Sequence, residues 1–362
     1  MTVKGRDKPL QDIITLLEEA IREKASDVHL TVDAPPVFRL NGSLVRYGDG
    51  LLKQEDTMHI FQQLANEEKQ SWFKEKGEVD FSYAVSPDGR FRINAFRQRG
   101  SVAIAIRVVN AHAPTIEALG LPTVVSQLAM KSRGLILVTG PTGSGKSTTL
   151  ASMVNLINQE RSCHIITLED PIEFVYCHGK SIINQREVHA DTLSFPNALR
   201  AALREDPDVI LVGEMRDLET ISTTITAAET GHLVLATLHT ADATQTVDRI
   251  IDVFPPHQQQ QVRVQLSLIL QGIVAQQLLP RRDGSGRKAA FEVLAATPAV
   301  RNLIREGKTH QLRSTLQTGG ANGMQTMDRA LSEMVLRNEV TFEEALSHAI
   351  DPDFFQRLTN QQ

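Results

Sequence analysis

The segment Gly140-Pro-Thr-Gly-Ser-Gly-Lys-Ser147 matches the spacing G-x-x-x-x-G-K-[ST] at every fixed position. It restricts what this chain can fold into more than any other feature, because such a turn works only between a strand that delivers it and a helix that it opens. Both are legible here: the apolar run Leu135-Ile-Leu-Val-Thr139 leads in, and a helical pattern starts at Thr148. The glycines let the backbone wrap around phosphate with N–H groups pointing inward, and the helix N-terminus adds partial positive charge. Gly140, Pro141, Thr142, Gly143, Ser144, Gly145, Lys146, Ser147 and Thr148 are therefore expected to cradle ATP. In that arrangement Lys146 reaches the β- and γ-phosphates and Ser147 ligates Mg2+.

Further apolar runs at 165–168, 209–212 and 233–238 alternate with helical segments. That alternation predicts an α/β fold with a parallel sheet covered on both faces. Before it the pattern differs. Leu10, Ile13, Ile14, Leu17 and Ile21 recur at helical spacing, and short strand-like runs follow at 27–31, 37–40 and 91–96. Turn signals at Asn41-Gly42 and Pro87-Asp88-Gly89-Arg90 separate them. The organisation expected is a small α+β domain over 1–109, a linker over 110–133, a P-loop ATPase domain over 134–290 and a helical region over 291–362. The last of these reads as short helices around Val300, Leu312, Leu331 and Ala345, and the glutamines at 258–261 decorate the first turns of a solvated helix.

Composition narrows the function classes. The chain has 362 residues, enough for two or three domains, and its 38 basic residues fall short of its 43 acidic ones, for a net charge of -5. That balance, with 5% aromatic residues, argues against a nucleic-acid translocase, which needs basic and stacking surface. The most apolar later stretch, 266–279, is too short to span a bilayer and is broken by Gln271, Gln276 and Gln277, and the N-terminus carries no apolar leader, so a cytoplasmic protein is expected. Two cysteines, Cys163 and Cys177, support neither a disulfide framework nor a four-thiolate zinc site.

Carboxylates follow two of the strands. Glu169-Asp170-Pro171-Ile172-Glu173 sits at a strand's carboxyl end, where open α/β sheets bind ligands. One of its carboxylates orients or deprotonates water, or the segment is a solvated acidic turn. The run 209–212 leads into Gly213-Glu214, an apolar strand followed by a carboxylate, with Gly213 where many P-loop enzymes carry Asp. Glu214 would then serve Mg2+ through water or polarise the nucleophile. His232 and His239 flank the fourth strand at an odd spacing that makes them a poor metal pair. Each is either a structural histidine or a sensor of the γ-phosphate.

Taken together, these segments resemble the secretion-ATPase superfamily that drives type II secretion and type IV pili. They look like its Walker A (140–147), Asp box (169–173), atypical Walker B ending at Glu214 and His box (232–239). Ser26-Asp-Val-His-Leu30, Ala34-Pro-Pro36 and Arg39-Leu-Asn-Gly42 resemble the family's amino-terminal domain, and 204–208 and 213–217 resemble the spans around Walker B. Within the superfamily the chain is most similar to the PilT-type pilus-retraction, twitching-motility motors. Ala299-Val-Arg-Asn-Leu303, continuing to Lys308, resembles their carboxy-terminal segment, with Val300 for the usual Ile, and the four-cysteine zinc module of assembly motors is missing.

The resemblance implies a RecA-like P-loop core with a PAS-like N-terminal domain and a helical tail, assembled as a homohexamer with ATP between its two domains. It implies Glu169 as the water-activating base, Glu214 serving Mg2+ and the water, and His232 and His239 coupling phosphate loss to domain rotation. Arg92 and Arg107 are expected to supply positive charge to the transition state. The implied partners are the inner-membrane platform protein and, through it, pilin, at the inner face of the inner membrane. An accessory retraction motor, an assembly or secretion motor, and a nucleotide-gated scaffold without hydrolysis are the alternatives.

Overall fold

Period-two alternation in the first third of the chain builds one antiparallel sheet. The computed structural model describes residues 12–40, 42–86, 89–109 and 113–360. Leu10 of the opening helix, Asn41, Pro87, Asp88 and the expected linker's first residues 110–112 lie outside the described residues. The strands are β1 (Asp27–Leu30), β2 (Val37–Leu40), β3 (Ser43–Arg46), β4 (Glu78–Ser86), β5 (Gly89–Gln98) and β6 (Ser101–Val109), in the order β3-β2-β1-β6-β5-β4. Along β5, Phe91, Ile93 and Ala95 are buried while Arg92 between them is exposed, so one face is dry and the other wet. The dry face is covered by the helices Ile13–Arg22, Gln54–Leu64 and Glu67–Lys76, which contribute Leu17, Phe61 and Phe73 to a single core. Burying each such side chain stabilises the fold by about 1.5–3 kcal/mol.

The rest of the chain follows a different pattern. Strands β7 (Gly134–Thr139), β8 (His164–Glu169), β9 (Ile182–Glu187), β10 (Val209–Val212), β11 (Leu233–Leu238), β12 (Leu270–Pro280) and β13 (Arg287–Ala295) form a sheet ordered β13-β12-β7-β11-β10-β8-β9. All neighbours run parallel except β13 on β12. Side chains of β7 alternate between two cores, with Leu135 and Leu137 in one and Ile136 and Val138 in the other. Both faces of its central strands are therefore buried. That is why the strands read as unbroken apolar runs.

The chain divides into two compact units, Met1–His112 with Glu173–Val175, and Ala113–Ile172 with Tyr176–Gln362. Two expected boundaries differ from this division. The described part of the expected linker, 113–133, is structured: Ile116, Leu121, Val124, Val125 and Leu128 pack into the core beside Ile136 and Val138. The boundary expected at 290 falls inside β13, and the helical region after it belongs to the same unit, because Met327, Leu331 and Phe355 pack on Leu279 and Ala290 of β12 and β13. The apolar stretch 266–279 divides at Leu270, where the helix Pro256–Ile269 gives way to β12.

Candidate functional site

The P-loop leaves the sheet at the carboxyl end of β7. Gly140 has φ +142°, and a Cβ there would stand 2.3 Å from the Gln276 carbonyl oxygen, so only glycine fits. Gly145, at φ +89°, caps the helix Lys146–Glu160 without any side-chain hydrogen bond, which leaves the first-turn N–H groups to an anion. Pro141, Thr142 and Gly143 form the exposed crest, while Ser147 and Thr148 are half-buried. The Lys146 ammonium is buried and donates to the carbonyls of Gly140 at 2.9 Å and Pro141 at 3.0 Å. The Ser144 hydroxyl is buried with no hydrogen-bond partner among the described residues, an orphan polar atom inside the loop.

Parallel register gathers the other chemistry at the same edge. Leu238 of β11 pairs with Thr139, so His239 follows beside Gly140. Val212 of β10 lies between Leu168 of β8 and Ala236 of β11, so Glu169 and Glu214 emerge close together. The Glu214 carboxylate is held by Arg216 Nε at 2.5 Å and by His239 Nε2 at 3.3 Å. Glu169 is buried and accepts from Thr167 Oγ1 at 2.6 Å and Gln185 Nε2 at 3.2 Å. Asp170 and Glu173 are exposed.

Gly213 explains the atypical Walker B. A Cβ there would stand 3.1 Å from the Leu168 carbonyl oxygen and 3.4 Å from the Glu169 Cα. Strands β8 and β10 thus approach closely at their ends, so that a Cβ at this position requires its neighbours to give by a few tenths of an ångström, and the carboxylate comes one residue later, as Glu214. The Gly213 carbonyl accepts from Thr237 Oγ1 at 2.5 Å, which ties the same point to β11.

His232 lies elsewhere. It precedes β11 at the strand's amino end, where Leu233 pairs with Gly134, about 23 Å from His239 at ~3.3 Å per strand residue. Its Nδ1 is 2.8 Å from the Ala227 carbonyl, so the ring caps the carboxyl end of the helix Leu218–Glu229. Within this chain the buried length of β11 separates the two histidines, and only His239 stands at the edge that carries the P-loop.

Arg92 and Arg107 belong to the N-terminal sheet, directly opposite one another on β5 and β6. Two facing guanidinium groups repel. Asp80 stands 3.9 Å from Arg92 and Asp27 stands 3.3 Å from Arg107, which offsets the repulsion. Both arginine side chains remain well exposed, at 44% and 70%, so these pairs are weak and the guanidinium groups can be redirected to another anion.

Sequence reasoning passed over Gln276, Thr149 and Arg216, which touch the loop or Glu214 directly. A glutamine inside an apolar strand was the available signal for Gln276.

The family described as type II/IV secretion system protein matches residues 4–347. A type IV pilus retraction ATPase, PilT of Pseudomonas aeruginosa, is 47% identical over 344 residues, covering 95% of this chain and 100% of that one. A twitching motility protein of Neisseria gonorrhoeae is 47% identical, covering 93% of this chain and 90% of its own. A solved structure of the pilus retraction motor PilT with bound ADP is 51% identical, covers 96% of this chain and 99% of that chain, and superposes with a TM-score of 0.87.

Proposed function

Because the chain belongs to the type II/IV secretion system protein family, we propose that it is an ATP-hydrolysing motor that powers retraction of type IV pili. The observation that carries this reading is near-half identity to a retraction ATPase along 95% of the chain, together with a P-loop edge that holds Lys146, Glu169, Glu214 and His239. ATP binds with its phosphates over the 140–147 backbone and the helix N-terminus, and Lys146 turns from the loop carbonyls to the β- and γ-phosphates.

The protein offers hard oxygen donors for Mg2+ in Ser147 and Glu214. Among the described residues no cluster of three or more His, Cys, Asp or Glu could cage a metal alone. That donor set suits a cation that keeps waters and shares substrate phosphate. When bound, Mg2+ supplies charge neutralisation between the phosphates. Glu169, within reach of Thr167 and Gln185, takes a proton from the water that attacks the γ-phosphorus in line. Glu214 orients that water, and His239, hydrogen-bonded to it, couples phosphate release to movement. Arg92 and Arg107 neutralise charge in the transition state, a contribution of about 10³–10⁵ in comparable enzymes.

The working form is a homohexamer. Its partners are the inner-membrane platform protein and, through it, pilin, at the inner face of the inner membrane. No described helix is long and apolar enough to cross a membrane.

The test is steady-state ATPase activity with native mass on wild type and Lys146→Ala, followed by retraction measured in cells. A hexamer that turns over ATP only with Lys146 intact, and restores retraction to cells lacking their motor, is the expected result. A monomer without turnover would point to a nucleotide-gated scaffold, and turnover that rises with added DNA would point to a translocase.

A further inference from the structure

The neighbour that shapes the P-loop from beneath comes from β12. Ala275 of β12 pairs with Thr139, so Gln276 is the first residue past the end of β7 and lies under the loop. The residue is 1% exposed, yet both ends of its amide are used. Nε2 donates to the Ser144 carbonyl at 2.5 Å, and Oε1 accepts from Thr149 Oγ1 at 2.7 Å. A carbonyl only accepts, so the amide's orientation is set by its partners. Ser144 and Thr149 are both buried, so water cannot replace the amide at either contact. The Gln276 backbone carbonyl also bounds the space at Gly140, and Nε2 lies 3.0 Å from where a Cβ on Gly145 would stand.

We propose that Gln276 is a positioning residue of the nucleotide cradle, holding the Ser144–Thr149 span so that the N–H groups around Lys146 and Ser147 are set for phosphate before it arrives. This rests on the reading of 140–147 as the ATP site. Next along the strand, Gln277 supplies a matched control. It is half-buried, and both ends of its amide are used on the helix Phe342–His348, with Oε1 2.6 Å from His348 Nδ1 and Nε2 donating to the His348 carbonyl at 3.4 Å. A glutamine that merely satisfied the core would alter stability without acting on nucleotide.

The experiment compares wild type, Gln276→Met, Thr149→Val, Thr149→Ser and Gln277→Met by ADP binding in titration calorimetry and by KM and kcat for ATP. Gln276→Met keeps length but strands two buried polar groups. The ADP Kd and the ATP KM should then rise about tenfold, while kcat moves less than about threefold. Thr149→Val should act in the same direction, Thr149→Ser should stay within about twofold of wild type because the hydroxyl returns, and Gln277→Met should stay within about twofold. Unchanged ADP binding in Gln276→Met, an equal rise in Gln277→Met, or a Thr149→Ser as weak as Thr149→Val would each overturn the proposal. If Gln276→Met does not fold, the Thr149 pair decides alone. A wild type that neither binds ADP nor hydrolyses ATP would overturn the functional reading together with this one, whereas a normal wild type beside an unaffected Gln276→Met overturns this one only.

Discussion

The two sheets of this protein keep their charged groups in different places. In the N-terminal sheet, Arg92, Arg107, Asp27 and Asp80 stand on a strand face, because antiparallel strands covered on one side leave alternate residues in water. In the second sheet both faces are buried, and Glu169, Glu214, His239 and the P-loop are confined to one edge, at or just beyond the last paired residues. A face can present charge at little energetic cost but holds it loosely. An edge is narrow, yet neighbouring strands fix each group against the next. The difference teaches that a parallel sheet covered on both faces fixes its polar groups at the strand ends, whereas a half-covered antiparallel sheet carries adjustable charge on its open face.

Four measurements can break or sharpen that contrast. The largest effect is expected at the edge. Glu214→Gln should lower ATP turnover by about 10³ while ADP affinity stays within a few-fold, read by steady-state kinetics and calorimetry. Wild-type turnover in that variant would remove Glu214 from the chemistry.

Next comes a charge buried on the second sheet itself. Glu292 of β13 is 4% exposed and accepts from the N–H groups of Ala243 and Met327, at 2.9 and 3.3 Å, where two helices begin. Burial pushes its carboxyl from 4.5 to about 7, outweighing those two bonds, with Asp242 and Asp328 adding to the rise. The folded chain thus holds the proton more tightly than the unfolded one. This group's contribution to stability is full below pH 4.5 and declines as pH rises through about 7. The decline should amount to about 3 kcal/mol. The urea midpoint should fall between pH 5 and 8, and Glu292→Gln should remove most of that slope. A flat wild-type profile would show that this sheet tolerates an ionised carboxylate as well as the wet one does.

On the open face, Arg107→Ala should lower turnover by about 10² yet shift the melting temperature by less than about 2 °C, since an exposed pair contributes little. A large thermal shift would mean that the face is as tightly fixed as the edge. The smallest effect is expected from Gly213→Ala, which presses a methyl group against the Leu168 carbonyl and the Glu169 backbone. It should destabilise by about 1–2 kcal/mol in urea titration and lower kcat by displacing both carboxylates. No change in kcat would mean that the edge has slack.

Local pattern in the sequence determined a good deal. The spacing of 140–147 between an apolar run and a helical one located the P-loop, because strand, glycine turn and helix are all written within about twenty residues. Unbroken apolar runs announced the buried strands β7, β8, β10 and β11, and helical spacing announced the helix Ile13–Arg22 and the short helices after Pro298. Strand β9, with its mixed residues Ile182-Ile-Asn-Gln-Arg-Glu187, gave no such sign, since an edge strand is only half covered.

Tertiary structure alone decided which groups meet. Glu214 and His239 are 25 residues apart, and Thr149 and Gln276 are 127 apart. Such contacts depend on strand order and register, which no local window contains. The same register sent His232 to the far end of β11, drew 113–133 into the core, and crowded the position of Gly213. The physical reason is one of range. Residue periodicity reports whether a segment's own neighbourhood is wet or dry, whereas the hydrogen bonds that assemble a site join segments that are brought together only when the whole sheet closes.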